Sequence, residues 1–133
     1  MDHVGALVTA YCTRAGVTAP DPKEDGSYAL RFENVGMIEL SSSGDRDAVM
    51  LRAAFPVAQQ QDQRSEALRW LMRVNLILAG RKRATLTIDA ATDTPFLYDV
   101  QTIDPANLAA GHRMIVTFVN ELAAFRSLLT RAH

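Results

Sequence analysis

Histidine, cysteine and clustered carboxylates are the side chains with which a short chain most readily binds metal or moves protons, and here they are sparse and scattered. The three histidines stand at positions 3, 112 and 133, and none is spaced with another histidine, a cysteine or a carboxylate as a zinc set requires. The stretch DPKEDGSYALRFE puts Asp21, Asp25 and Gly26 at the first, fifth and sixth places of a calcium loop. Lys23 then holds the third place and Phe32 the twelfth, where an acid is needed, so these acids read as turn formers. No GxSxG, phosphate-binding glycine loop or dinucleotide fingerprint occurs. Asp45, Asp47, Asp89 and Asp93 fall in or beside expected turns, and nothing singles out a pair for acid and base work. The sequence thus implies no catalytic residue, no metal and no cofactor.

Charge and cysteine usage narrow the classes further. Fourteen Lys and Arg balance fifteen Asp and Glu, so no global field favours nucleic acid or an anionic membrane. The basic run Arg81, Lys82, Arg83 lacks neighbouring aromatics and reads as the cationic end of a helix. Cys12 cannot form an internal disulfide, which fits a reducing compartment, and it sits on a helical pattern as a small buried residue. The N-terminus has an acid at position 2 and no basic region before an apolar core, and the longest apolar run is Leu76 to Ala79. Neither a secretory signal nor membrane insertion is expected, and the reading is cytoplasmic.

The elements that would carry any site follow from periodicity. Asp2 can cap a first helix that reaches about Ala15 and stops at Gly16, with Val4, Leu7, Val8 and Tyr11 at helical spacing. Tyr28, Leu30 and Phe32 alternate with Ala29, Arg31 and Glu33 as a half-buried strand, Asn34 and Gly36 suit a tight hairpin, and Ile38 and Leu40 continue the inward face. Val49, Leu51 and Ala53 line a third strand of an antiparallel meander. A second helix spans 66–79, capped by Asp62 and ended by Gly80, and ATLTID and FLYDVQ form two more strands. Asp104 and Pro105 should open a last helix to about Arg131, with Leu108, Ile115, Phe118, Leu122, Phe125 and Leu129 on one stripe. The result is one α+β domain over 1–133, ordered α-β-β-β-α-β-β-α, with helices covering an antiparallel sheet.

The second helix is apolar on too many sides for that role. Leu68, Trp70, Leu71, Met72, Val74, Leu76, Ile77 and Leu78 crowd eleven positions, with Arg69 and Arg73 confined to one narrow sector. A second copy of the chain is the economical partner for the surplus, and the central alternative is a helix wedged between sheet and last helix. Asn75, a polar amide within that seam, fits a register-setting contact or a bond to a neighbouring loop equally well. The expected homodimer interface is Leu68, Trp70, Leu71, Met72, Asn75 and Leu78, with Leu86 from the following strand.

Two passages, LVTAYCTRAGVTAPDPKEDGSYALRFENVGMIELSS and LRWLMRVNLILAGRKRATLTIDAATDTPFLYDVQTID, followed by a long helix, resemble the class I chaperones of bacterial type III secretion, the Tir chaperone family. The resemblance spans nearly the whole chain and rests on the acidic DG turn before a hairpin and on the helix-to-strand passage ending in ATLTID. It implies a small cytoplasmic homodimer, without enzymatic activity, that binds an extended N-terminal segment of a secreted effector and keeps it competent for export. Many members are strongly acidic, whereas this chain is close to neutral. An extended partner needs apolar grooves and a free sheet edge. Such grooves are expected beside the first helix and the meander, from among Val4, Leu7, Val8, Tyr11, Leu30, Phe32, Ile38 and Leu40. The competing reading is a non-secretory protein-binding or regulatory module with the same fold, because fold does not fix function.

Overall fold

The computed structural model describes residues 2–33, 35–44, 47–54, 66, 69–73, 75, 84–89 and 94–132. Asp2 accepts a hydrogen bond from the Gly5 N–H through its side chain (2.7 Å) and opens the N-terminal helix, His3–Ala15. Gly16 ends it at φ 74°, a left-handed conformation that glycine adopts without steric cost, and its N–H closes on the last carbonyls. The loop that follows is folded on itself. The Asp25 carboxylate accepts from the Ser27 hydroxyl (2.6 Å) and N–H (2.9 Å), bonds that hold it below the usual carboxylate range.

Five strands then build one antiparallel sheet: β1 (Tyr28–Phe32), β2 (Gly36–Ser42), β3 (Ala48–Ala54), β4 (Thr85–Asp89) and β5 (Thr94–Thr102). The order across the sheet is β1-β2-β3-β5-β4. The first three are the expected meander. The chain then passes to the far edge, lays down β4, and returns through β5 into the place beside β3. Both edges of the sheet, β1 and β4, are therefore short strands of five residues.

Register decides which face is buried. Leu30 lies opposite Ile38, Leu40 opposite Leu51, Ala53 opposite Leu97, and Leu97 opposite Leu86, so one face is a continuous apolar layer. The N-terminal helix covers it with Val4, Leu7, Val8 and Cys12, and the C-terminal helix, Leu108–Ala132, with Met114, Ile115, Phe118, Leu122 and Phe125. Where the helices meet, Gly111 lets them close: a Cβ there would stand 2.4 Å from Leu7 Cδ1. Cys12 is buried in this layer, which pushes its thiol up and makes it a packing residue rather than a nucleophile.

The opposite face of the sheet is mixed. Glu39 accepts hydrogen bonds from Lys23 Nζ (3.1 Å) and from Arg52, and the Arg52 guanidinium lies 5.3 Å from the centroid of the Phe96 ring. Met37 and Val100 are exposed on this side.

Two local expectations are revised. The C-terminal helix begins at Leu108 rather than at Pro105, because Asp104 forms a turn instead of a cap: its side chain accepts from the Ala106 N–H (2.9 Å) and its carbonyl from the Asn107 N–H (2.8 Å). In the crowded central helix, Glu66, Arg69 to Arg73 and Asn75 are helical, while Asp62, Leu68, Leu78, Gly80 and the basic run Arg81, Lys82, Arg83 lie outside the described residues, as does Asn34 of the hairpin.

Candidate functional site

The first candidate surface is the β1 edge with the aromatic side chains beside it. Phe32 ends β1 on the helix-facing side, Tyr11 stands on the last turns of the N-terminal helix, and their ring centroids are 5.9 Å apart at a tilt of 58°. Tyr11 also stacks on His112 of the C-terminal helix, at 5.0 Å and 27°, so three elements meet in one aromatic cluster. Partial burial, and secondarily the neighbouring Cys12 thiol, pushes the Tyr11 phenol up, so it is a neutral contact at any physiological pH. His112 Nδ1 is buried with no hydrogen bond among the described residues.

Of the eight residues expected to meet a partner, six are interior. Val4, Leu7 and Val8 face the sheet, and Leu30, Ile38 and Leu40 face the helices. The reason is the small size of the domain: its three-layer contact consumes the same inward positions that the periodicity marks as apolar. Tyr11 and Phe32 remain half-buried, and Tyr28, two residues before Leu30 on the same side of β1, joins them. No sequence signal separates Tyr28 from Leu30; only its place at the end of the strand does.

The second candidate surface lies at the other edge. The central helical segment runs beside β4 and leaves between them an open, mainly apolar groove of about 220 Å³, lined by Leu71, Met72, Asn75, Leu86, Thr87, Ile88 and Pro95. Leu71 is 3% exposed and belongs to the core, as does Leu86, and Trp70 packs partly against it. Their apolar character is thus satisfied within the chain. Met72 is 70% exposed and Ile88 43% exposed, so the surplus of the helix continues onto the strand. Ile88 and Pro95 escape a reading focused on the helix, because a five-residue strand with one exposed isoleucine looks like any half-buried strand. Asn75 bonds inward: its Oδ1 accepts the Leu86 N–H at 2.7 Å.

Neither surface is arranged for bond chemistry. Among the described residues no group of three or more His, Cys, Asp or Glu side chains could hold a metal ion, and no helix is long and apolar enough to cross a membrane.

Solved structures share this architecture. A chain in the crystal structure of the ExsC–ExsE complex aligns with a TM-score of 0.70 at 20% identity, covering 97% of each chain. One in the HopA1–SchA chaperone–effector complex gives 0.70 at 12%, covering 94% of each. The Yersinia pestis type III secretion chaperone SycH structure, solved with a stable fragment of YscM2, gives 0.58 at 14%, covering 91% of this chain and 98% of the other. At these identities the likeness establishes the fold, α-β-β-β-α-β-β-α around an antiparallel five-stranded sheet. No curated protein matches the chain. The sequence itself matches the model of the Tir chaperone protein (CesT) family over residues 8–126. The chain belongs to that family.

Proposed function

We propose that this protein is a cytoplasmic type III secretion chaperone, without catalytic activity, that works as a homodimer and holds an extended N-terminal segment of a secreted effector in an export-competent state. The observation that carries this reading is the family match across residues 8–126. The titles of two similar structures name a type III secretion chaperone and a chaperone–effector complex, which is the same kind of pairing.

The physical fit is direct. A segment that stays extended cannot bury its own apolar side chains or pair its own backbone, so its holder must offer both an apolar surface and a strand edge. The β1 edge supplies pairing groups, and Tyr11, Tyr28 and Phe32 lie beside it as apolar but only half-buried contacts. On this reading Phe32→Ala weakens client binding about tenfold or more, as truncation of a central aromatic contact does, while circular dichroism reports a folded chain. Unchanged affinity in a titration of that variant would move the docking surface elsewhere.

The same reading joins two subunits through Met72, Ile88 and the rest of the apolar groove beside β4. Capture of partners from the native cytosol followed by limited proteolysis tests the function. The expected product is a short N-terminal stretch of a secreted protein, protease-sensitive once released. Recovery of a partner that is compact and resistant by itself favours a module acting on folded proteins.

A further inference from the structure

An open antiparallel sheet ordinarily offers two edges, and a holder of extended segments that exposes both invites mispairing and self-association. The two edges of this sheet are not equivalent. In an antiparallel ladder, alternate residues turn their N–H and C=O toward the neighbouring strand and away from it. Leu86 stands opposite Leu97 of β5, yet its N–H donates to Asn75 Oδ1 at 2.7 Å. Leu86 is therefore an outward-turning position of β4, and Ile88, two residues on, is the other. Asn75 occupies the first outward donor, and the helix that carries it, with Leu71 and Met72, flanks the strand where a sixth strand would lie. At the opposite edge the N-terminal helix lies over the face of β1, through Tyr11 against Phe32, rather than beside it.

We infer that Asn75 closes the β4 edge to strand pairing and so confines an extended partner to β1. Asn75 is a positioning residue: it touches no client, and it acts by removing the competing edge. The confinement to β1 rests on the chaperone reading above, whereas closure of β4 does not.

The amide in a helical seam is itself informative. A leucine at 75 would extend the apolar groove, so the polar side chain is explained by the backbone donor it meets. Aspartate keeps the acceptor and leucine removes it at similar size, which separates the bond from the packing.

The test uses the nitrogen-labelled full chain and, as probe, a short alternating valine–threonine peptide N-methylated at every second residue, which leaves it one pairing edge. In the parent protein the peptide is expected to shift the amides of Tyr28–Phe32 and leave Thr85–Asp89 unchanged. In Asn75→Leu it should shift both edges, and the Leu86 amide should exchange about tenfold faster, the size expected when one partly buried hydrogen bond is lost. Asn75→Asp should restore the parent pattern in both readouts. Peptide at β4 of the parent, no peptide at β4 of Asn75→Leu, or unchanged Leu86 exchange in that variant would each overturn the inference. Peptide at neither edge of the parent but at β4 of Asn75→Leu upholds closure by Asn75 and removes the β1 docking reading instead.

Discussion

Leu71→Asp is expected to unfold the chain rather than to split a dimer. Leu71 is 3% exposed and packs with Leu86 and the rest of the core, so an aspartate there would be a buried charge without a partner. Breaking or burying such a charge costs about 3–5 kcal/mol, to which the lost apolar burial of the leucine adds. A domain of this size has about 5–15 kcal/mol in all. Chemical denaturation should therefore show a large fall in the midpoint, with a substantial unfolded fraction at 37 °C. A midpoint within error of the parent would mean that Leu71 is not a core residue and that the helix packs elsewhere.

Met72→Asp should do the opposite: keep the fold and lose the partner. One helical position further on, Met72 is 70% exposed, and a surface substitution of that kind changes the stability of a single chain by less than about 0.5 kcal/mol. In a two-fold dimer built on the groove of Met72, Ile88 and Pro95, the same change places a charge in the seam twice. Dissociation should strengthen at least about a hundredfold, because each desolvated charge opposes association. Sedimentation at micromolar concentration should then give a dimer for the parent and a monomer near 15 kDa for the variant, both with the same circular dichroism. A parent protein that already sediments as a monomer, or a variant that still dimerises, would remove this interface. The contrast between neighbouring positions is the sharpest consequence of the structure, since both residues look equally apolar in sequence.

That contrast also marks the boundary of what the sequence discloses. Element order was legible because period-two stretches such as Tyr28 to Phe32 and the 3- and 4-residue steps from Met114 to Phe125 report burial directly. The path through β4 and β5 was not. Turn chemistry specifies that two strands are joined, but which edge of the meander receives them depends on the packing of the whole chain. Asp104 shows the same limit on a smaller scale, since one side chain can cap a helix or close a turn, and it does the latter here.

The site was legible as a set of apolar positions and not as a surface. Val4, Leu7, Val8, Leu30, Ile38 and Leu40 share their pattern with Tyr11 and Phe32, and only the packing of two helices on one sheet face separates interior from rim. Ile88 and Pro95 gain their meaning from a helix distant in sequence. Asn75 stood out as a polar residue among apolar ones, but its partner, the Leu86 backbone, is invisible until β4 is placed beside the helix. The excess of apolar residues on that helix resolves into two destinations: Leu71 turns into its own core, and Met72 is left for another molecule.

The central claim is that a client is held as an extended segment along β1, beside Tyr11 and Phe32. Amide exchange across Tyr28–Phe32, compared between the isolated chain and its purified client complex, tests it most directly. The account predicts strong slowing over β1, little change over β4, and protection of one short client stretch that exchanges freely after release. Unaltered exchange over β1 in a complex whose client is equally protected before and after release would contradict it.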